Sequence, residues 1–185
     1  MYDRLLTIEQ VLTLLAEAPP RLAALTGGLA PAQLQTRPSP ADWSLNDTLA
    51  HLRSCADMWG DCMRTILAAD RPTIRAVNPT TWIKQTDYPG LEFRRSLRAF
   101  TAQRAELLAV LQPLPPKAWS RSATVTGAGK PLQRTVLSYA RWLANHERSH
   151  TKHIARLVNA LHKSQLPTRR LTIDLETARR FILGK

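Results

Sequence analysis

An all-α protein folded as a four-helix bundle is what this sequence predicts, and three observations carry the expectation. Only 7 of its 185 residues are glycine, and the β-branched and aromatic residues do not collect into alternating runs, so the period-two signal of strands is missing. Four segments instead space their apolar residues for helices. Between the second and third of these runs a link of roughly twenty residues, long for a bundle connection, which lets those two helices lie parallel and gives an up-down-down-up order. The length suits one domain, assigned to residues 1–166, and an apolar content of 44% is enough for a core.

The first helix begins near Asp3 and carries Leu5, Ile8, Leu12 and Leu15. Pro19-Pro20 predicts a break or kink in it, and Gly27-Gly28 its end. The run APAQLQTRPSPADW that follows is expected as loop. Ser44 then offers an N-cap, with Asp47 at the third helical position, and opens a second helix that continues to about Asp70. The long link, RPTIRAVNPTTWIKQTDYPG, holds three prolines and is a candidate crossover or lid. In the third helix, LEFRRSLRAFTAQRAELLAVLQ, the buried stripe is Phe93, Leu97, Phe100, Leu107 and Leu111, and PLPP ends it. KAWSRSATVTGAGKPLQR is irregular, with room for one short extended piece. Thr135 caps a fourth helix from about Val136 to His162, and residues 167–185 form a C-terminal extension of unassigned role with a short helix from about Leu175.

Several classes are disfavoured. Cys55 and Cys62 lie seven apart on one helix, about 10 Å of rise, too far to be bridged to each other, so reduced thiols are expected. The start, MYDRLLTIEQ, has no basic region leading into an apolar block, and no stretch is long enough to span a membrane; the expected location is cytoplasmic. The net charge of +12 raises the possibility of a polyanionic partner. Yet Arg53, Arg64, Arg98, Arg141, Arg148 and Arg156 are scattered over helix sides expected to be solvated, and no recognition motif accompanies them. Nucleic acid is therefore not the expected partner.

The stretch LANHERSHTKHIARL puts three histidines on the fourth helix. At about 100° per residue, Leu143, Ile154 and Leu161 point roughly 60° from His146, and His150 lies about 40° from it on the same side. His146 and His150 therefore face inward one turn apart, the i, i+4 spacing that lets two imidazoles bind one ion. On the second helix His51 sits at the inner margin, with Leu52, Trp59, Met63 and Ile66 inward and Asp47, Asp57 and Asp61 outward. Cys55, Met58 and Cys62 share its edge. A buried imidazole without a partner loses hydration and gains nothing. Either each ring finds its own carbonyl or side-chain partner, or the rings together hold a metal ion.

HERSH also matches H-E-x-x-H, in which two histidines hold zinc and the glutamate is a general base. The continuation TKHIAR supplies neither the glycine nor the third histidine of one such class. Another class needs a downstream acid; Glu176 lies at a possible distance but in an arginine-rich context, and Arg148 is out of place inside the motif.

DWSLNDTLAHL is similar to the W-S-x-x-x-x-x-x-H-L entry into the second helix of the DinB/YfiT-like superfamily of metal-binding four-helix bundles, and HERSHTKHI to the H-x-x-x-H-x-x-x-I of its fourth. The chain resembles that family from about Leu5 to Leu161. The resemblance implies a divalent ion, zinc or nickel, held by His51, His146 and His150, with His153 and His162 outside the ligand set. It implies thiol S-transferase-like chemistry, in which a low-molecular-weight thiol takes an open position on the ion and attacks an electrophile. The expected pocket is lined by Cys55, Met58, Trp59, Tyr139, Trp142 and the lid around Trp82, with apolar packing as the ordinary role of the cysteines. Glu147 has three candidate roles: orienting a ligand, shuttling a proton, or bridging to a neighbouring helix. The alternatives are a non-catalytic metal- or ligand-binding, stress-associated protein, an H-E-x-x-H metallopeptidase and a basic DNA binder. The expected partners are the thiol and the electrophile, with pairing into a homodimer compatible with the family.

Overall fold

In a computed structural model, residues 5–165 are described; the expected extension and its short helix lie outside them, as does the predicted start at Asp3. The four long helices are α1 (Ile8–Thr26), α3 (Leu45–Ala68), α5 (Phe93–Leu111) and α7 (Val136–Gln165). Between them lie three short helices, α2 (Pro31–Gln35), α4 (Pro79–Trp82) and α6 (Pro116–Trp119), and three strands, β1 (Thr73–Arg75), β2 (Ser122–Thr126) and β3 (Leu132–Thr135).

The long helices start where side chains can take up unpaired N–H groups. Thr7 and Gln10 form a capping box on α1, and Ser44 and Asp47 another on α3. Thr135 Oγ1 accepts from the Ser138 N–H at the head of α7. Pro19 and Pro20 do not break α1, which runs through them. Each removes a backbone bond, but Val11, Leu15, Ala18 and Leu22 continue one buried stripe across the prolines, and this burial outweighs the two lost bonds. The stripe is displaced from the predicted one: Leu5 precedes the helix and is 73% exposed, and Ile8 and Leu12 are half-buried.

The order is up-down-down-up. Arg94, at the head of α5, donates to the carbonyls of Thr26, Gly27 and Leu29 at the end of α1, so those helices run oppositely. Arg53 meets Ser96, and Asp57 meets Gln103, so α3 and α5 run in the same direction. Trp59 stacks on Trp142 and His51 meets His146, so α7 returns against α3. Both α1 and α3 pack against α5 and α7, which leaves α1 diagonally opposite α3 and α5 diagonally opposite α7, with α3 and α5 as neighbours.

The connections hold more structure than the sequence predicts. Within the expected loop after α1, α2 buries Leu34. β1, in the long link, pairs parallel with β2, and β2 pairs antiparallel with β3, giving a sheet ordered β1-β2-β3. The irregular stretch before α7 thus holds two strands where one extended piece is predicted. Segments of three to five residues are too short to show a period. Gly127, at φ 84° in the β2–β3 turn, lies against Arg75; a Cβ there would approach the Arg75 Cγ to 3.2 Å.

Two arginines leave the solvent. Arg53, predicted on a solvated face, is buried: its guanidinium donates to Ser96 Oγ at 3.1 Å and lies 3.7 Å from the centre of the Tyr88 ring. Arg104 is among the largest fully buried side chains and donates to Glu147 across the bundle, from α5 to α7. Removing one member of such a pair strands the other charge in the core. We expect Glu147→Ala to lower the unfolding free energy by about 3–5 kcal/mol in urea titrations, and Arg104→Met combined with Glu147→Leu to recover most of that loss. A single-variant loss under about 1 kcal/mol would show that the pair contributes no more than a surface ion pair.

Candidate metal centre

Antiparallel packing of α3 on α7 brings His51, His146 and His150 into one cluster. The His146 Nε2 lies 3.0 Å from His51 Nε2 and 3.1 Å from His150 Nε2. The ring centres are 5.0, 4.4 and 5.1 Å apart for His51–His146, His146–His150 and His51–His150. Spacing on α7 makes two of the rings neighbours, and the start of α3, set by the Ser44–Asp47 capping box, puts the third opposite them. Trp43, just ahead of that cap, covers the group: its ring centre is 4.9 Å from that of His51 and 6.4 Å from that of His150, nearly parallel to the latter. Trp59 stands edge-on to His146 at 5.0 Å.

All three rings are held neutral. Burial lowers His51. Burial, then the nearby His150 and His51, bring His146 down to about 3. Burial, then His51 and His153, bring His150 down to about 4. Neutral imidazoles keep the lone pairs a metal ion needs. Hydrogen bonding among the rings satisfies them poorly: the Nε2 of His146 faces two other nitrogens, and its buried Nδ1 has no partner among the described residues. For a tetrahedral ion at about 2.0–2.1 Å from each nitrogen, the nitrogens would stand about 3.4 Å apart, within a few tenths of an ångström of the two separations found. The His51–His146 and His146–His150 pairs each suit a zinc- or nickel-like divalent ion, and among the described residues the group whose ligand atoms all lie within 4.8 Å of one another is His51, Cys55 and His146.

Cys55 is part of this cluster, a position that simple core packing does not describe. It is fully buried, with Sγ 3.6 Å from His51 Nε2 and 3.9 Å from His146 Nε2. Burial, and then Glu147, push its thiol up to about 12. The i, i+4 relation to His51 was the available sequence signal. His153 is half-buried beside His150, and His162 is exposed. Of the roles open to Glu147, the structure shows the bridge to a neighbouring helix: it is 1% exposed and held by Arg104, and burial raises its carboxyl.

Two cavities flank the cluster. One, about 320 Å³, is lined by Met58, Trp59, Trp82, Tyr139 and Trp142, all expected there, with Arg75 and Arg134 from the sheet; Cys62 joins it and Cys55 does not. It touches none of the histidines, because Trp59, stacked on Trp142 at 4.7 Å, stands between it and His146. The other, an open cleft of about 440 Å³, reaches the cluster at His150: Asp42, Trp43, Ser149, His150, His153 and Arg156 line it. We place the approach to the cluster in this cleft, since it exposes one of the imidazoles.

This chain belongs to the DinB superfamily, whose family model matches residues 14–154. Its fold is similar to that of YfiT from Bacillus subtilis, described as a probable metal-dependent hydrolase with an unusual four-helix bundle topology; the TM-score is 0.73 over 88% of this chain and 93% of that one, at 18% identity. At that identity the likeness is one of fold. No curated protein matches the chain. Among the described residues no helix is long and apolar enough to cross a membrane.

Depressed imidazole pKa values make the metal-free protein lose stability in acid, opposed in part by Glu147, whose raised carboxyl takes up its proton first in the folded state. Unfolded histidine titrates near 6.5 and the folded His146 and His150 near 3 and 4, so between those values the unfolded chain binds more protons. Stability present at neutral pH is then lost as pH falls from about 6.5 toward 4. Chelator-treated protein should unfold at lower urea concentration at pH 5 than at pH 7, and combining His146→Asn with His150→Asn should flatten that difference. Equal midpoints for the parent at the two pH values would contradict the assignment.

Proposed function

We propose that this protein is a metal-dependent thiol S-transferase, with a divalent ion, zinc or nickel, held by His51, His146 and His150. The observation that carries this reading is the meeting of three neutral imidazoles, with Nε2 separations of 3.0 and 3.1 Å, one of which, His150, lines an open cleft. When bound, such an ion stabilises a thiolate over its thiol near neutral pH and so supplies a nucleophile.

The remaining roles fall to side chains of this chain. Arg156 and His153 on the cleft suit the carboxylates of a low-molecular-weight thiol. Trp43 covers the rings from one side and Trp59 from another, which limits the entry of water. The apolar cavity, which Trp59 separates from the histidines, has Arg75 and Arg134 at its margin; neither guanidinium is in an ion pair among the described residues. The peptidase reading is weaker, since Glu147 is committed to Arg104 in the core. A second reading is hydrolysis, with water in place of the thiol; it is favoured by the fold shared with YfiT and uses the same ligands.

Elemental analysis tests the ion first. The parent should carry close to one equivalent of metal, and His51→Ala and His150→Ala should each lose most of it; metal that survives both substitutions would reject the site. A conjugation screen pairing low-molecular-weight thiols with aromatic electrophiles then separates the two readings. Thiol consumption that stops on chelation and returns with zinc or nickel supports transfer, whereas chelator-sensitive ester or amide cleavage without thiol consumption supports hydrolysis.

A further inference from the structure

Cys55 lies one turn beyond His51 on α3, so the two side chains leave the same helix face. Its sulfur is 3.6 Å from His51 Nε2 and 3.9 Å from His146 Nε2, and those nitrogens are 3.0 Å from each other. Metal–ligand bonds of about 2.0 Å to imidazole and 2.3 Å to thiolate put nitrogen and sulfur about 3.6 Å apart on the edge of a tetrahedron. The His51–Cys55 separation matches that edge, and the His146–Cys55 separation exceeds it by a few tenths of an ångström. The ligand atoms of His51, Cys55 and His146 all lie within 4.8 Å of one another. Among the described residues the sulfur has no other polar contact than these two rings.

Charge points the same way. His51 is 8% exposed and Cys55 not at all, so a dication surrounded only by neutral imidazoles would bring two uncompensated charges into a buried position. One thiolate halves that net charge.

We infer that Cys55 is a protein ligand to the ion, bound as thiolate beside the imidazoles and filling the position that would otherwise hold water. This rests on the proposed occupation of the histidine cluster. It makes the fourth position exchangeable between an internal and an external thiol. When a substrate thiol enters from the cleft, Cys55 is released and its sulfur takes up the proton that the incoming thiol loses, so the exchange is balanced in charge and atoms. Cys62 has no part in this, since its sulfur faces Tyr139 and the apolar cavity.

Cobalt(II) reports on both claims separately, because tetrahedral coordination gives visible bands and thiolate coordination adds a near-ultraviolet sulfur-to-cobalt band. In Cys62→Ser protein, Cys55 is the only thiol. Titration of that metal-free protein with cobalt should produce both signals at one equivalent. Adding Cys55→Ser, or Cys55→Ala, should remove the near-ultraviolet band and keep the visible bands, with circular dichroism confirming the helical fold. Visible bands without a near-ultraviolet band in Cys62→Ser protein would overturn the inference and leave the histidine site standing. Failure of folded Cys62→Ser protein to bind cobalt would overturn both.

Discussion

A charge pair buried at the middle of the bundle governs the arrangement of everything around it. Arg104 on α5 meets Glu147 on α7, each almost wholly removed from solvent. A buried charge is tolerated only when it is paired, so α7 can take few rotations and shifts other than the one that presents Glu147 to Arg104. The neighbour of Glu147 in the chain is His146. Holding one of them inward toward α5 turns the other toward α3, where His51 waits. The polar cluster thus inherits its register from an interaction that has no contact with a substrate.

Burial then does two things to the cluster. It keeps the three imidazoles neutral, which preserves their lone pairs, and it places Cys55 among them, where packing alone would have put an apolar side chain. Such a group of polar atoms is an unfavourable way to fill a core: among the described residues the buried Nδ1 of His146 and Oε2 of Glu147 have no hydrogen-bond partner. A bound cation would relieve the crowding of the three Nε2 atoms. The two tryptophans divide the surroundings, with Trp43 over the open polar side and Trp59 walling off the apolar cavity. The small sheet matters for the second of these, since β1, β2 and β3 supply the wall facing Trp142 and Tyr139.

Much of the site was legible because it depends on periodicity. His146 and His150 share a helix face by spacing alone, and the phase of His51 follows from the apolar residues around it. The aromatic cavity was expected from the family resemblance, and Met58, Trp59, Trp82, Tyr139 and Trp142 do line it. Cys55 was assigned to apolar packing because a thiol at a helix edge usually has that role. Its contact with His146 is made across helices, and no local pattern contains it. Arg53 and Arg104 were hidden for a related reason. Charge predicts exposure unless a partner is present, and the partners, Ser96 and Tyr88 for one and Glu147 for the other, are distant in sequence.

The amino-acid sequence by itself determined where the four long helical segments lie, where the capped ones begin, and that a long second link lets α3 and α5 run side by side. These properties are local: they follow from side-chain spacing, caps and connection length. Tertiary structure alone decided that α1 lies diagonally opposite α3 and α5 opposite α7, that α1 stays continuous through two prolines, and that three- to five-residue segments pair into a sheet. Each of those outcomes is set by burial and hydrogen bonding between distant parts of the chain, energies that exist only once the bundle has closed.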